Sequence, residues 1–130
     1  MTREANKEVV RRIYEEGFNR GDASVFDALY RPDFLHHSKT IHDVERSAEG
    51  ERESMLRFRE AIPDARFHID EMVAEGDKVV VRLTVTGTPV KAFPPIEPGE
   101  PMAFRAVAIF RIEGGRAAEE WFYRDAGTGT

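Results

Sequence analysis

The sequence has no cysteine. Disulfides, thiolate metal sites and cysteine nucleophiles are thereby excluded. It has no block of positive charge: 19 basic residues are interspersed with 24 acidic ones, for a formal charge of −5. A nucleic-acid groove needs a clustered basic face, so no nucleic-acid partner is expected. No run approaches the roughly 20 apolar residues of a membrane span. MTREANKEVV lacks the apolar core of a secretory signal, which makes the cytoplasm the expected location. No Gly-rich phosphate loop is present either, because Gly114-Gly115 sits where a hairpin turn is expected and precedes a strand rather than a helix.

What is present fits one domain over residues 1–130. Val9, Val10, Ile13, Tyr14, Gly17 and Phe18 recur at three- and four-residue spacing and predict an amphipathic helix. Gly21 ends it as a left-handed cap, and Asp22 can cap a short helix carrying Val25, Phe26, Leu29 and Tyr30. Residues 33–46 show no period and read as a loop, with an extended piece at Phe34–His36. A third helix is expected from Ser47 to Ala61, with Met55, Leu56, the Arg59 stem and Ile62 facing inward.

The second half changes to period two. Strands are expected over Arg66–Ala74, with a bulge at Met72-Val73, and over Lys78–Thr88, Met102–Ile112 and Arg116–Asp125. The segment 89–100, with Pro101 beside it, gathers five of the seven prolines into a stiff loop. Helices followed by hairpin-linked strands indicate an α+β fold: three helices packed on a strongly curved antiparallel sheet around an apolar pocket. Val107 to Phe110 is apolar on both faces. The outer sheet face therefore needs its own cover, and a homodimer through it is expected.

NKEVVRRIYEEGFNRGD, RPDFLHH, IPDARFHIDEMVAEGDKVVVRLTVTGT and FRAVAIFRIEGGRAAEEWFYRDAGT, in this order over residues 6–127, resemble the SnoaL-like polyketide cyclases and their ester cyclase branch. The resemblance implies the cystatin-like, nuclear transport factor 2-like cone. It also implies an internal pocket for an apolar oxygenated small molecule, such as a polyketide or terpenoid, and intramolecular aldol closure without metal or cofactor. A carboxylate on the last strand, assisted by a His on the preceding strand, removes an activated C–H proton in such enzymes. At the matching positions this chain has Phe122 and Ala108. The family frame is kept and its acid/base pair is not.

The remaining candidates for the chemistry are His36, His37 and Asp125. In an extended segment only one of the two histidines can face the cavity. Asp125 shares a strand face with Trp121 and Tyr123, so it faces inward only if Phe122 faces outward. Glu120 and Arg124 share the Phe122 face, and Tyr14 can donate its hydroxyl. The expected pocket lining is Tyr14, Phe18, Phe34, Leu56, Leu83, Phe104, Ala108, Phe110, Glu120, Phe122 and Arg124. His36, His37, His42 and His68 show no spacing that converges on a metal. Two functions compete: a cofactor-independent cyclase or isomerase, and a non-catalytic binder of a lipophilic molecule, with Phe122 and Ala108 making room for it. Ionisable side chains in the cavity discriminate them.

Overall fold

The computed structural model describes residues 2–38 and 44–125; His42 and the glycine-threonine tail lie outside them. Helix α1, Arg3–Arg12, is capped by the Thr2 hydroxyl, which accepts the Ala5 N–H at 3.0 Å. It continues as a π-helical segment, Ile13–Asn19. Gly21, at φ +73°, lets the chain leave it in the left-handed conformation anticipated from the sequence. The Asn19 side-chain amide then takes the place of a strand partner. It accepts the Phe67 N–H at 2.7 Å and donates to the Phe67 carbonyl at 2.9 Å. Asp22 accepts the Ser24 N–H just ahead of α2, Val25–Ala28.

The chain next forms strand β1, Tyr30–His36, longer than the extended piece expected at Phe34–His36. Its aperiodic sequence hid it: Pro32 cannot donate to a ladder, yet β1 lies at the sheet edge, where a proline is tolerated. Helix α3, Ala48–Ala61, begins at Ser47, whose hydroxyl accepts the Gly50 N–H at 3.2 Å. Gly50 is obligatory there, because a Cβ would collide with the Glu45 carbonyl.

Four further strands follow: β2, Arg66–Glu75; β3, Lys78–Gly87; β4, Met102–Glu113; and β5, Arg116–Arg124. The sheet order is β1-β5-β4-β3-β2. β2 to β5 form antiparallel hairpins, whereas β1 runs parallel to β5, so the sheet is mixed rather than wholly antiparallel. The β2 irregularity falls between Ile69 and Glu71, two residues before the expected bulge.

Parity sorts the faces. Val79, Val81, Leu83 and Val85 of β3, and Phe104, Ala106, Ala108, Phe110 and Ile112 of β4, are buried under the helices. Ala108 pairs with Phe122, so Phe122 faces inward while Trp121 and Tyr123 face outward. Among the described residues, no helix is long and apolar enough to cross a membrane.

Candidate active site

Between the helices and the sheet lies a cavity of about 480 Å³, inside the range of small-molecule sites. The π-helical segment contributes Tyr14 and Phe18; α3 contributes Glu51, Ser54 and Phe58; β2 contributes Phe67. His36 enters from β1, Phe104 from β4, and Glu120, Phe122 and Arg124 from β5. The loop before β4 closes one side with Phe93, Pro94, Pro95 and Ile96. Aromatic edges hold this wall: Phe58 lies 5.4 Å from Phe67 and 5.1 Å from Phe93, the latter pair at 89°.

One end of the cavity is polar. His36, Glu51 and Glu120 are almost fully buried and arrive from three different elements. The His36 Nε2 stands 3.8 Å from Glu51 Oε2 and 3.7 Å from Glu120 Oε1. The Ser38 N–H donates to His36 Nδ1 at 3.1 Å, so in the neutral ring Nε2 carries the proton and points it at the carboxyls. The two carboxyls hydrogen-bond each other. Glu120 Oε1 and the nearby Ser54 Oγ are buried without a partner among the described residues. Unsatisfied polar atoms on a cavity wall mark where a ligand's own polar atoms belong.

Burial penalises every charged form in this cluster. It pushes Glu51 up to about 8, against which the Glu120 hydrogen bond acts. It holds Glu120 well above the usual carboxylate range, and repulsion from Glu51 adds to this. It drives His36 down to about 4, helped by the positive charge of Arg46. The Tyr14 phenol is pushed upward by burial and by the carboxyls, which keeps it a donor. The cluster is therefore close to uncharged near neutrality, and the first proton to leave as pH rises comes from the Glu51–Glu120 pair. The same three residues offer one donor atom each within 4.8 Å of one another, a spacing that a divalent cation also accepts. The histidines alone gave no hint of it, because two of the donors are carboxylates.

Of the residues expected at the site, Tyr14, Phe18, His36, Phe104, Glu120, Phe122 and Arg124 line the cavity. His37 does not. It stacks on Trp121 at 4.6 Å on the outer face, and its Nε2 lies 2.6 Å from Glu119. Asp125 is exposed at the strand end, where its carboxylate accepts the Arg105 N–H at 3.4 Å. Leu83, Ala108 and Phe110 are fully buried in the core but do not form the cavity wall. Phe34 is buried against Tyr30 at 4.7 Å and does not line the cavity. Leu56 is 43% exposed, because the inner face of α3 runs through Glu51, Met55 and Phe58, a helical phase that turns Leu56 outward.

Glu51 is the ionisable cavity residue missing from the sequence expectations. An acid in a first helical turn is ordinarily explained by the helix dipole and carries no functional signal of its own.

No curated protein matches this sequence. Among solved structures, TsrD from Streptomyces laurentii superposes with a TM-score of 0.85 at 28% identity, covering 96% of this chain and 91% of TsrD. AclR from Streptomyces galilaeus gives 0.81 at 26%, covering 97% and 92%. IdmH from Streptomyces antibioticus gives 0.79 at 25%, covering 92% and 91%. These likenesses extend over nearly the whole of each chain, and the profile of one family matches residues 8–128. The chain belongs to the SnoaL-like polyketide cyclase family, with its nuclear transport factor 2-like fold.

Proposed function

We propose that this protein is a cofactor-independent acid/base enzyme of the cyclase or isomerase type, acting on an apolar oxygenated small molecule. The observation that carries this reading is the buried Glu51–His36–Glu120 cluster inside an apolar cavity of ligand size. A pure binder gains nothing from two desolvated carboxyls that hold each other's protons; a proton-transfer site needs such groups.

In the forward direction the Glu51 carboxylate takes a proton from a carbon next to a carbonyl. The electron pair moves onto the carbonyl oxygen, where the His36 Nε2–H and the Glu120 carboxylic acid stabilise it. The enolate carbon then attacks a second carbonyl of the same molecule, and the new alkoxide takes the Glu120 proton. His36 thus serves as a donor rather than a base, since Nδ1 is engaged by Ser38 and the ring is held neutral.

The test is enzyme-dependent deuterium exchange from solvent into the α-carbons of a panel of aromatic β-keto esters, followed by NMR. His36→Ala is expected to slow exchange about 100-fold, a typical share for one positioned donor. His37→Ala, on the outer face, is expected to leave it unchanged. Exchange that is as fast in His36→Ala as in the wild type would sink the assignment. Exchange that disappears with EDTA and returns with zinc would instead make the cluster a metal site.

The same proposal extends to assembly. On the outer face Tyr123 is 57% exposed beside half-buried Val107, Ile109 and Trp121. A second copy is the expected cover for this apolar band. Sedimentation should give a dimer for the wild type and a monomer for Tyr123→Arg; a monomeric wild type refutes it.

A further inference from the structure

Toward the other end of β5 the cavity holds a cation that proton transfer does not use. Arg124 lies four residues beyond Glu120 on the same face of the strand. At roughly 3.3 Å per residue their Cα atoms are about 13 Å apart. The guanidinium lies over the Phe104 ring, 4.0 Å from its centroid.

Six arginines outside the cavity, Arg11, Arg12, Arg31, Arg52, Arg82 and Arg111, each pair with a carboxylate; what sets Arg124 apart is that it lines the cavity. Arg124 has no carboxylate in ion-pair range among the described residues. Its recorded hydrogen bond is a long one, 3.5 Å from Nε to the Asp125 backbone carbonyl, while the Asp125 carboxylate is turned to the Arg105 amide. Because the cluster at the other end is nearly uncharged, Arg124 is the cation among the described lining residues, and the attraction it feels comes from its chain neighbour Asp125. Burial disfavours that charge, as the lowered pKa of Arg124 reflects, and an anionic ligand would relieve it.

We infer that Arg124 anchors a carboxylate of the substrate, whose reacting carbon lies at the Glu51–Glu120 end. The free edge of a guanidinium matches a carboxylate with two parallel N–H···O bonds. One cation in an apolar cavity suits one negative charge, whereas a phosphate would call for more. Phe122, midway between Glu120 and Arg124 on the strand, supplies an aromatic wall between the two ends. The position of the reacting carbon rests on the acid/base reading above; the anchor does not.

Calorimetric titration with anthraquinone-2-carboxylate and with its methyl ester tests this. Wild type is expected to bind the acid about tenfold or more tightly than the ester, the effect of one charge-assisted pair. Arg124→Met should erase the preference while keeping ester affinity, and Arg124→Gln should behave alike; circular dichroism confirms that both fold. Equal affinities in the wild type, a preference that survives in both variants, or binding of neither compound would each overturn the anchor. Glu51→Gln should leave the acid-to-ester ratio unchanged. A preserved ratio with no deuterium exchange on any substrate would therefore remove the acid/base reading alone. Exchange with a ratio of one would remove the anchor alone.

Discussion

Glu51→Gln is expected to abolish proton abstraction, lowering the deuterium-exchange rate by about 10²–10⁴-fold, the range set by loss of a general base. The amide has the shape of the carboxyl and can still hydrogen-bond Glu120, so the cavity should keep its form. It cannot accept a proton. Glu120→Gln is expected to cost less, about tenfold, because an amide N–H still donates to an enolate although it delivers no proton. The wild-type rate should also climb with pH and level off above the Glu51 value of about 8, since the ionised carboxylate is the active form. A Glu51→Gln protein that folds and exchanges within a few-fold of the wild type would remove Glu51 as the base.

The location of Glu51 explains why the site was only half legible. The period-two strands were readable because one buried face forces strict alternation: Val79, Val81, Leu83 and Val85 lie inward as the sequence required. Parity also puts Glu120, Phe122 and Arg124 on one face, and the Ala108–Phe122 pairing turns that face inward. Two positions that would carry the acid/base pair of resembling cyclases are thus cross-strand neighbours, and both are apolar here. The acidic groups of the cavity stand instead one step along the same face, at Glu120, and across the cavity on α3, at Glu51.

The placement on α3 leaves no mark in the sequence. Residues 36, 51 and 120 come from an edge strand, a first helical turn and the last strand. Only packing brings them within 4.8 Å. The histidine ambiguity was settled in the same way. Strand parity allowed one inward ring, and β1 pairing with β5 selects His36 by setting it opposite Glu120. The loop residues Phe93 and Ile96 were hidden among prolines, which signal a connection and say nothing of the wall it forms.

Folding stability is expected to fall as pH rises from 6.5 to 8, and the cause lies in the same buried acids. Glu51 moves from an ordinary 4.5 to about 8 on folding, so the folded state holds the extra proton between those values. Its contribution is complete below 4.5 and is lost as pH climbs toward 8. His36 moves the other way, from 6.5 to about 4; its contribution is lost on acidification and complete above 6.5. The two oppose each other between 4.5 and 6.5, and above 6.5 the carboxyls act alone. Glu51 by itself then removes on the order of 1–2 kcal/mol by pH 8, and Glu120, also raised, deepens the loss. Asp22, Asp33 and Glu119 are held low by their partners and act below this window. Urea denaturation across the interval should show a steep decline for the wild type, about half of it for Glu51→Gln, and a nearly flat profile for the Glu51→Gln, Glu120→Gln double variant. Parallel profiles for wild type and double variant would mean that the two acids are not the proton-holding pair. The expected outcome makes the catalytic carboxyls a standing cost to the fold at the pH where Glu51 ionises, which is the condition under which they can act as a base.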